Sequence, residues 1–120
     1  MRRAAAAICV LALAAAGAVA QERVNRGTGA VLRALDKTTT EVRDLDLAAG
    51  EAALVGSLRV RLDQCRYPAD NPAGDAFARI VIDETETGEI LFDGWMLASS
   101  PALNALEHPR YDVWVMRCTT

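Results

Sequence analysis

Serine, histidine and aspartate, the residue types of a hydrolytic triad, occur together in the C-terminal quarter of the sequence. Ser99 or Ser100 with His108 and Asp112 would supply the nucleophile, the base and the orienting acid. The sequence lacks the G-x-S-x-G elbow that exposes such a serine, and Ser100 precedes Pro101 as the expected cap of a helix. We therefore predict no catalytic residues and no cofactor, and an enzyme is not the favoured interpretation.

The single histidine of the chain, His108, limits what can be argued about metal binding. A zinc centre needs further ligands at defined spacing, and the acidic hairpin 83–89 lacks the spacing of a calcium loop. No metal site is predicted. Two roles remain open for the His108 ring: a hydrogen bond to the loop backbone, which we favour, or contact with a partner.

The connection from Ser99 to Tyr111 is the candidate interaction surface. It carries Glu107, His108 and Arg110 on a segment predicted to be irregular, and binding residues are often found on loops. We expect the partner to be an envelope protein or a cell-wall component. A formal charge of −3 and a pI of about 5.1 argue against binding to nucleic acid.

The N-terminal residues have the order of a secretory signal peptide. Arg2 and Arg3 precede an uncharged apolar run, 4–19, and small residues lie at 18 and 20, before Gln21. A transmembrane anchor is the alternative, but it needs about 20 strongly apolar residues, and this run is mostly alanine. We expect residues 1–20 to be cleaved, and the mature chain to be periplasmic and not membrane-spanning.

Two cysteines remain after such a cleavage, Cys65 and Cys118, because Cys9 lies in the leader. An even number of cysteines in an oxidising compartment indicates one disulfide. A catalytic thiol or a metal pair is disfavoured, since the sequence has no C-x-x-C and one histidine. We predict a structural disulfide between Cys65 and Cys118.

Apolar residues alternate with polar ones along most of the remaining chain, which predicts an all-β fold. After a flexible N-terminus, 21–28, we expect a single β domain over 29–120. It should be a small antiparallel β-sandwich or barrel. The expected strands are 29–36, 41–47, 52–55, 58–62, 76–84, 89–97 and 111–118.

Three local features complete the fold prediction. One short helix begins at Pro101 and ends before His108, with Leu103 and Leu106 on one side. The last strand is apolar on both faces, which favours a central position in its sheet. Cys65 continues the arginine side of the 58–62 alternation, so either a bulge precedes it or the disulfide lies off the main core face. The sequence leaves that choice open.

Trp95 and Trp114 have two possible roles. Aromatic residues in strands of small domains bury large apolar areas, so we favour core positions for both. The alternative is an exposed aromatic platform for a glycan or a peptide.

Several segments resemble an uncharacterised alphaproteobacterial family, domain of unknown function 2155 (DUF2155). The most specific is the run 94–103, continued by 107–109 and 111–114, and the earlier positions 30–37 and Cys65 are also similar. The resemblance implies a secreted domain with the same paired cysteines, and it implies no activity for any residue. We therefore expect a non-enzymatic interaction or envelope-accessory module. The alternative is a domain or enzyme that binds cell-wall glycan or peptidoglycan.

Overall fold

A computed structural model describes residues 23–120 of the chain. The predicted signal peptide, 1–20, lies outside these described residues. Within them the chain forms eight strands and one short 3₁₀ turn, which agrees with the all-β prediction. The strands are β1 (Val24–Arg26), β2 (Gly29–Asp36), β3 (Val42–Ala48), β4 (Ala52–Val55), β5 (Leu58–Pro68), β6 (Phe77–Glu84), β7 (Ile90–Leu97) and β8 (Tyr111–Thr119).

The strands of residues 23–120 build two antiparallel sheets that are not closed into a barrel. The larger sheet has the order β1-β5-β6-β7. Two short strands share the same edge of β5: β4 pairs with its first half and β1 with its second half. The smaller sheet has the order β3-β2-β8. Buried side chains of both sheets form one hydrophobic cluster, so the fold is the sandwich of the two predicted alternatives.

The alternation that predicted the strands also determines which side chains enter the core. On β5, Leu58, Val60 and Leu62 are fully buried, whereas Arg59 and Arg61 are exposed. The same period of two continues on β6, where Ile80 and Ile82 are buried, because successive side chains of a strand point to opposite faces of its sheet. On these two strands the apolar side chains therefore face the core and most of the charged ones face outwards.

A bulge in β5 decides the position of the first cysteine. Leu62 pairs with Ile80 and Gln64 pairs with Arg79, so Asp63 has no opposite residue on β6. One extra residue moves all the following side chains to the other face, and Cys65 is consequently fully buried in the core. The first of the two alternatives for Cys65 is therefore the correct one.

The disulfide joins the two sheets. Cys65 lies on β5 and Cys118 on β8, and their Cα atoms are 5.6 Å apart. The backbone crosses from β1 to β2 beside this bridge, where the Gly27 N–H donates to the Cys65 carbonyl oxygen over 2.7 Å. The covalent link therefore lies where the chain passes from the larger sheet to the smaller one.

Three expectations about element placement differ from the structure. β8 lies at the edge of its sheet and β2 is central, so the central position predicted for the last strand is wrong. The segment 21–28, predicted to be flexible, includes β1, which pairs with the end of β5. Trp95 and Trp114 are half-buried on the outer faces of the two sheets, outside the core cluster. On β8 the outer-face Trp114 is half-buried although the strand lies at the edge of its sheet. Apolar residues on both faces of a strand therefore do not require a central position.

Candidate interaction surface

The connection between β7 and β8, residues 98–110, begins at a hydrogen-bonded serine. The Ser99 N–H and hydroxyl donate to the two carboxylate oxygens of Asp75, over 3.0 and 2.7 Å, and the Ala76 N–H donates to the same carboxylate. Partial burial raises the pKa of Asp75, but these hydrogen bonds outweigh it and lower the pKa overall. An ionised Asp75 therefore fixes the start of the connection to the loop before β6.

The predicted helix is a single 3₁₀ turn, Pro101–Leu103. Pro101 lies at its start, as expected, but the Ser100 side chain makes no capping hydrogen bond. Leu103 is 74% exposed whereas Leu106 is buried, so these two leucines do not share a side. The chain leaves the helical conformation at Asn104, whose side-chain amide donates to the Trp95 carbonyl oxygen over 2.9 Å, and the helix expected up to residue 107 is therefore wrong.

His108 fixes the backbone at the end of the connection. Its Nδ1 accepts hydrogen bonds from the backbone N–H groups of Arg110, over 3.0 Å, and Tyr111, over 3.2 Å. An accepting Nδ1 places the proton of the neutral ring on Nε2. The His108 carbonyl oxygen accepts from Lys37 Nζ over 2.6 Å. Of the two roles considered for this ring, the structure has the hydrogen bond to the loop backbone.

Arg110 ties the connection to the turn that follows β2. Its guanidinium donates to both carboxylate oxygens of Asp36, with Nε at 3.2 Å from each and Nη2 at 2.9 Å from Oδ2. Asp36 also accepts from the backbone N–H groups of Thr38 and Thr39. The hydrogen bond from Arg110 is the largest cause that lowers the pKa of Asp36, to about 2.

We expect Asp36→Asn to reduce stability at neutral pH and to have little effect in strong acid. The folded-state pKa of about 2 lies below the ordinary value of 3.8, so the stabilisation is complete above pH 3.8 and is lost as the pH falls through about 2. The measurement is the Tm of both proteins by circular dichroism between about pH 2 and pH 6. A Tm difference that stays constant over this range would contradict the assignment.

Four of the five predicted surface residues hold the connection in place. Ser99, His108 and Arg110 make the hydrogen bonds described above, and Tyr111 is buried with its ring centroid 5.3 Å from that of His108. Glu107 is the exposed member without such a role among the described contacts. The serine and histidine suggested for a triad are also engaged elsewhere, with Asp75 and with backbone N–H groups.

The longest exposed stretch of the connection is residues 101–105, which are apolar except for Asn104 and which we call the apolar tip. Beside it lies a mainly apolar groove of ≈ 240 Å³, which Leu103 itself does not line. The residues that line it are Pro101, Ala102, Ala105, Leu106, Asp112, Val113 and Trp114. This surface was not predicted, because Leu103 was expected to lie on one side of a helix together with Leu106. The His-Pro pair at 108 and 109 disfavours helix only at His108, so it does not reveal that the turn ends at Leu103.

Two further observations concern residues 23–120 only. No helix in this part of the chain is both long enough and apolar enough to cross a membrane. In the same range, no three side chains of histidine, cysteine, aspartate or glutamate are grouped in a way that could hold a metal ion.

The fold and the site define a class of protein: a small disulfide-linked β-sandwich with a side-chain-anchored connection on its surface. The chain belongs to the family described as "Uncharacterized protein conserved in bacteria (DUF2155)", whose model matches residues 30–118. This confirms the resemblance found in the sequence. The matched range includes both bridged cysteines and the whole β7–β8 connection.

A curated relative supports the same assignment. The chain is 32% identical over 94 residues to an uncharacterized protein of Rickettsia prowazekii (strain Madrid E). The match includes 76% of this chain and 61% of the relative, so the chain spans less than two thirds of that protein's length. No solved structure matches the chain.

Proposed function

We propose that this chain is an exported, non-enzymatic interaction module of the periplasm, which binds an envelope protein through the apolar tip of the β7–β8 connection. The observation that carries the proposal is the exposure of Leu103 on an anchored segment. At 74% exposed, Leu103 is the most exposed large hydrophobic side chain among residues 23–120. The tip and the Trp114 groove together offer the apolar centre that a protein interface needs.

The anchoring of the tip supports a binding role. Asp75 and Asn104 hold the segment on one side, and His108 and Arg110 hold it on the other. A segment that is ordered before binding loses less conformational entropy when a partner docks. The side-chain hydrogen bonds therefore favour affinity without themselves contacting the partner.

Two features support the periplasmic part of the proposal. The first is the order of charged, apolar and small residues at positions 1–20, which is typical of a secretory signal peptide. The second is the disulfide between Cys65 and Cys118, a bond that persists in oxidising compartments and is rare in the cytosol.

A photo-reactive residue at position 103 tests the proposed contact in living cells. We expect the tagged full chain in the periplasmic fraction, with one discrete adduct after illumination. The same residue at position 54 is the matched control, because Leu54 is also a leucine and is 57% exposed but lies on β4. We expect no adduct from position 54, because only the tip contacts the partner.

A second pair of variants separates contact from chance proximity. With the photo-reactive residue at position 102, Leu103→Asp should remove the adduct and Leu54→Asp should keep it, because a carboxylate at the tip opposes apolar docking. Equal adducts from positions 103 and 54, no adduct from position 103, or a cytoplasmic chain would each overturn the proposal.

A further inference from the structure

The outer face of the larger sheet concentrates basic side chains on an acidic chain. The register places residues of β1, β5 and β6 opposite one another on this face: Arg26 opposite Arg66, and Arg79 opposite Gln64. Arg59 and Arg61 continue the same face of β5, because both are exposed and alternate with buried residues. We call this surface the arginine face. Its arginines are Arg26, Arg59, Arg61, Arg66 and Arg79.

Carboxylates neutralise only part of this charge. Asp83 lies near Arg59 at 3.6 Å, Asp63 near Arg61 at 3.2 Å, and Asp93 contacts Arg79. At least one side chain of each pair is solvent-exposed, and such surface ion pairs are weak enough to be exchanged for a ligand's charge. Among residues 23–120, Arg26 and Arg66 have no carboxylate partner, which leaves the arginine face with two uncompensated positive charges.

An aromatic side chain lies within this charged surface. Trp95 is opposite Arg79 in the β6–β7 register, and the guanidinium carbon of Arg66 lies 5.2 Å from the centroid of the Trp95 ring. Both groups are planar and the guanidinium lies over the indole ring, so together they form a platform with apolar area and positive charge. Beside it, arginines and aspartates line an open depression of ≈ 350 Å³.

We propose that the arginine face binds an acidic polysaccharide. The Trp95–Arg66 platform contacts one sugar ring, and Arg66 and Arg79 hold carboxylates of the glycan through charge-assisted hydrogen bonds. The interleaved aspartates favour a glycan over an acidic peptide, because they accept hydrogen bonds from sugar hydroxyls but repel a densely acidic chain. This second site is independent of the proposed protein partner at the β7–β8 tip.

Isothermal titration of the full chain with a hyaluronan hexasaccharide, which carries a carboxylate on every second ring, tests the proposal. We expect binding that weakens with added salt. Arg66→Gln/Arg79→Gln should weaken it by about tenfold or more, because two charge-assisted contacts are lost. Arg117→Gln is the matched control, since Arg117 is an exposed arginine on the other sheet, and it should change affinity by less than about twofold.

A gain of affinity provides a test that misfolding cannot mimic. Asp93→Asn frees Arg79 from its carboxylate while keeping an acceptor oxygen, so it should tighten binding of the hexasaccharide by a few fold. Hexaglutamate and the neutral chitohexaose should bind at least about tenfold more weakly than hyaluronan. Absence of hyaluronan binding, equal binding of either comparison ligand, or affinity unchanged in the arginine double variant would overturn the proposal.

Discussion

Replacing both bridged cysteines, as Cys65→Ala/Cys118→Ala, is expected to lower the free energy of unfolding by about 4 kcal/mol. The bridge spans a sequence separation of 53, and in the chain-entropy model a loop of this length restricts the unfolded chain by about that amount. A domain of this size has a total stability of only about 5–15 kcal/mol. The loss therefore removes a large share of the stability of the sandwich.

Because the bridge joins the two sheets, we expect its loss to destabilise the whole sandwich and not one sheet alone. Cys65 is fully buried on β5 of the larger sheet, and Cys118 lies on the edge strand β8 of the smaller one. Without the bridge, the two sheets are held by apolar packing and by their chain connections. We therefore expect one cooperative transition at lower urea concentration, with both sheets unfolding together.

Urea unfolding followed by far-UV circular dichroism measures this effect. The control is the wild-type chain with a reducing agent, which should reproduce the loss, whereas the same agent should not affect the alanine double variant. A loss below about 1 kcal/mol would contradict the chain-entropy explanation for this bridge. A second, separate transition would contradict the expectation that the sheets unfold as one unit.

Local sequence patterns predicted most of the strands. β2 and β4 have the predicted bounds, and β6, β7 and β8 differ from them by one residue at one end. These elements are bounded by turn residues and have a clear alternation, so local preference and burial indicate the same structure. The all-β class and the two-sheet alternative follow from the same patterns.

Features that depend on pairing between distant residues were not predictable in this way. The bulge at Asp63 depends on the register of β5 against β6. The edge position of β8 depends on its pairing with β2 alone. β1 was missed because a three-residue strand has too few residues to reveal an alternation. A sequence pattern records which side chains are apolar, but it does not record their neighbours across a sheet.

The sequence predicted where the β7–β8 connection lies, but not which contacts its side chains make. The β7–β8 connection is on the surface, as expected, but His108, Arg110 and Tyr111 fix its conformation, and Leu103 is its most exposed large hydrophobic residue. The expected helix does not form because the hydrogen bond from Asn104 to the Trp95 carbonyl oxygen and the burial of Leu106 outweigh a weak local helical preference. Tertiary contacts therefore determined which residues remain available to a partner.

Gly56→Ala is expected to lower the free energy of unfolding by about 3 kcal/mol, by combining backbone strain with a steric clash. Gly56 is in the tight turn between β4 and β5 and has a φ of +57°, a conformation that residues with a Cβ rarely adopt. A Cβ at this position would lie 1.9 Å from the Tyr111 hydroxyl oxygen and 2.6 Å from Cζ of the same ring. Tyr111 is buried in the core cluster, so the clash is relieved only if its ring shifts against its neighbours.

Gly88→Ala separates the two causes, because Gly88 also has a positive φ, +73°, but nothing lies within 4 Å of its added Cβ. This control should lose only the backbone contribution, about 1 kcal/mol, and urea unfolding of both variants measures the difference. Combining Gly56→Ala with Tyr111→Phe, which removes the closest atom, should cost less than the sum of the two single changes. Equal losses at positions 56 and 88 would mean that Tyr111 does not restrict the turn. The large loss expected at Gly56 therefore tests whether the buried ring at the end of the β7–β8 connection is packed against the β4–β5 turn.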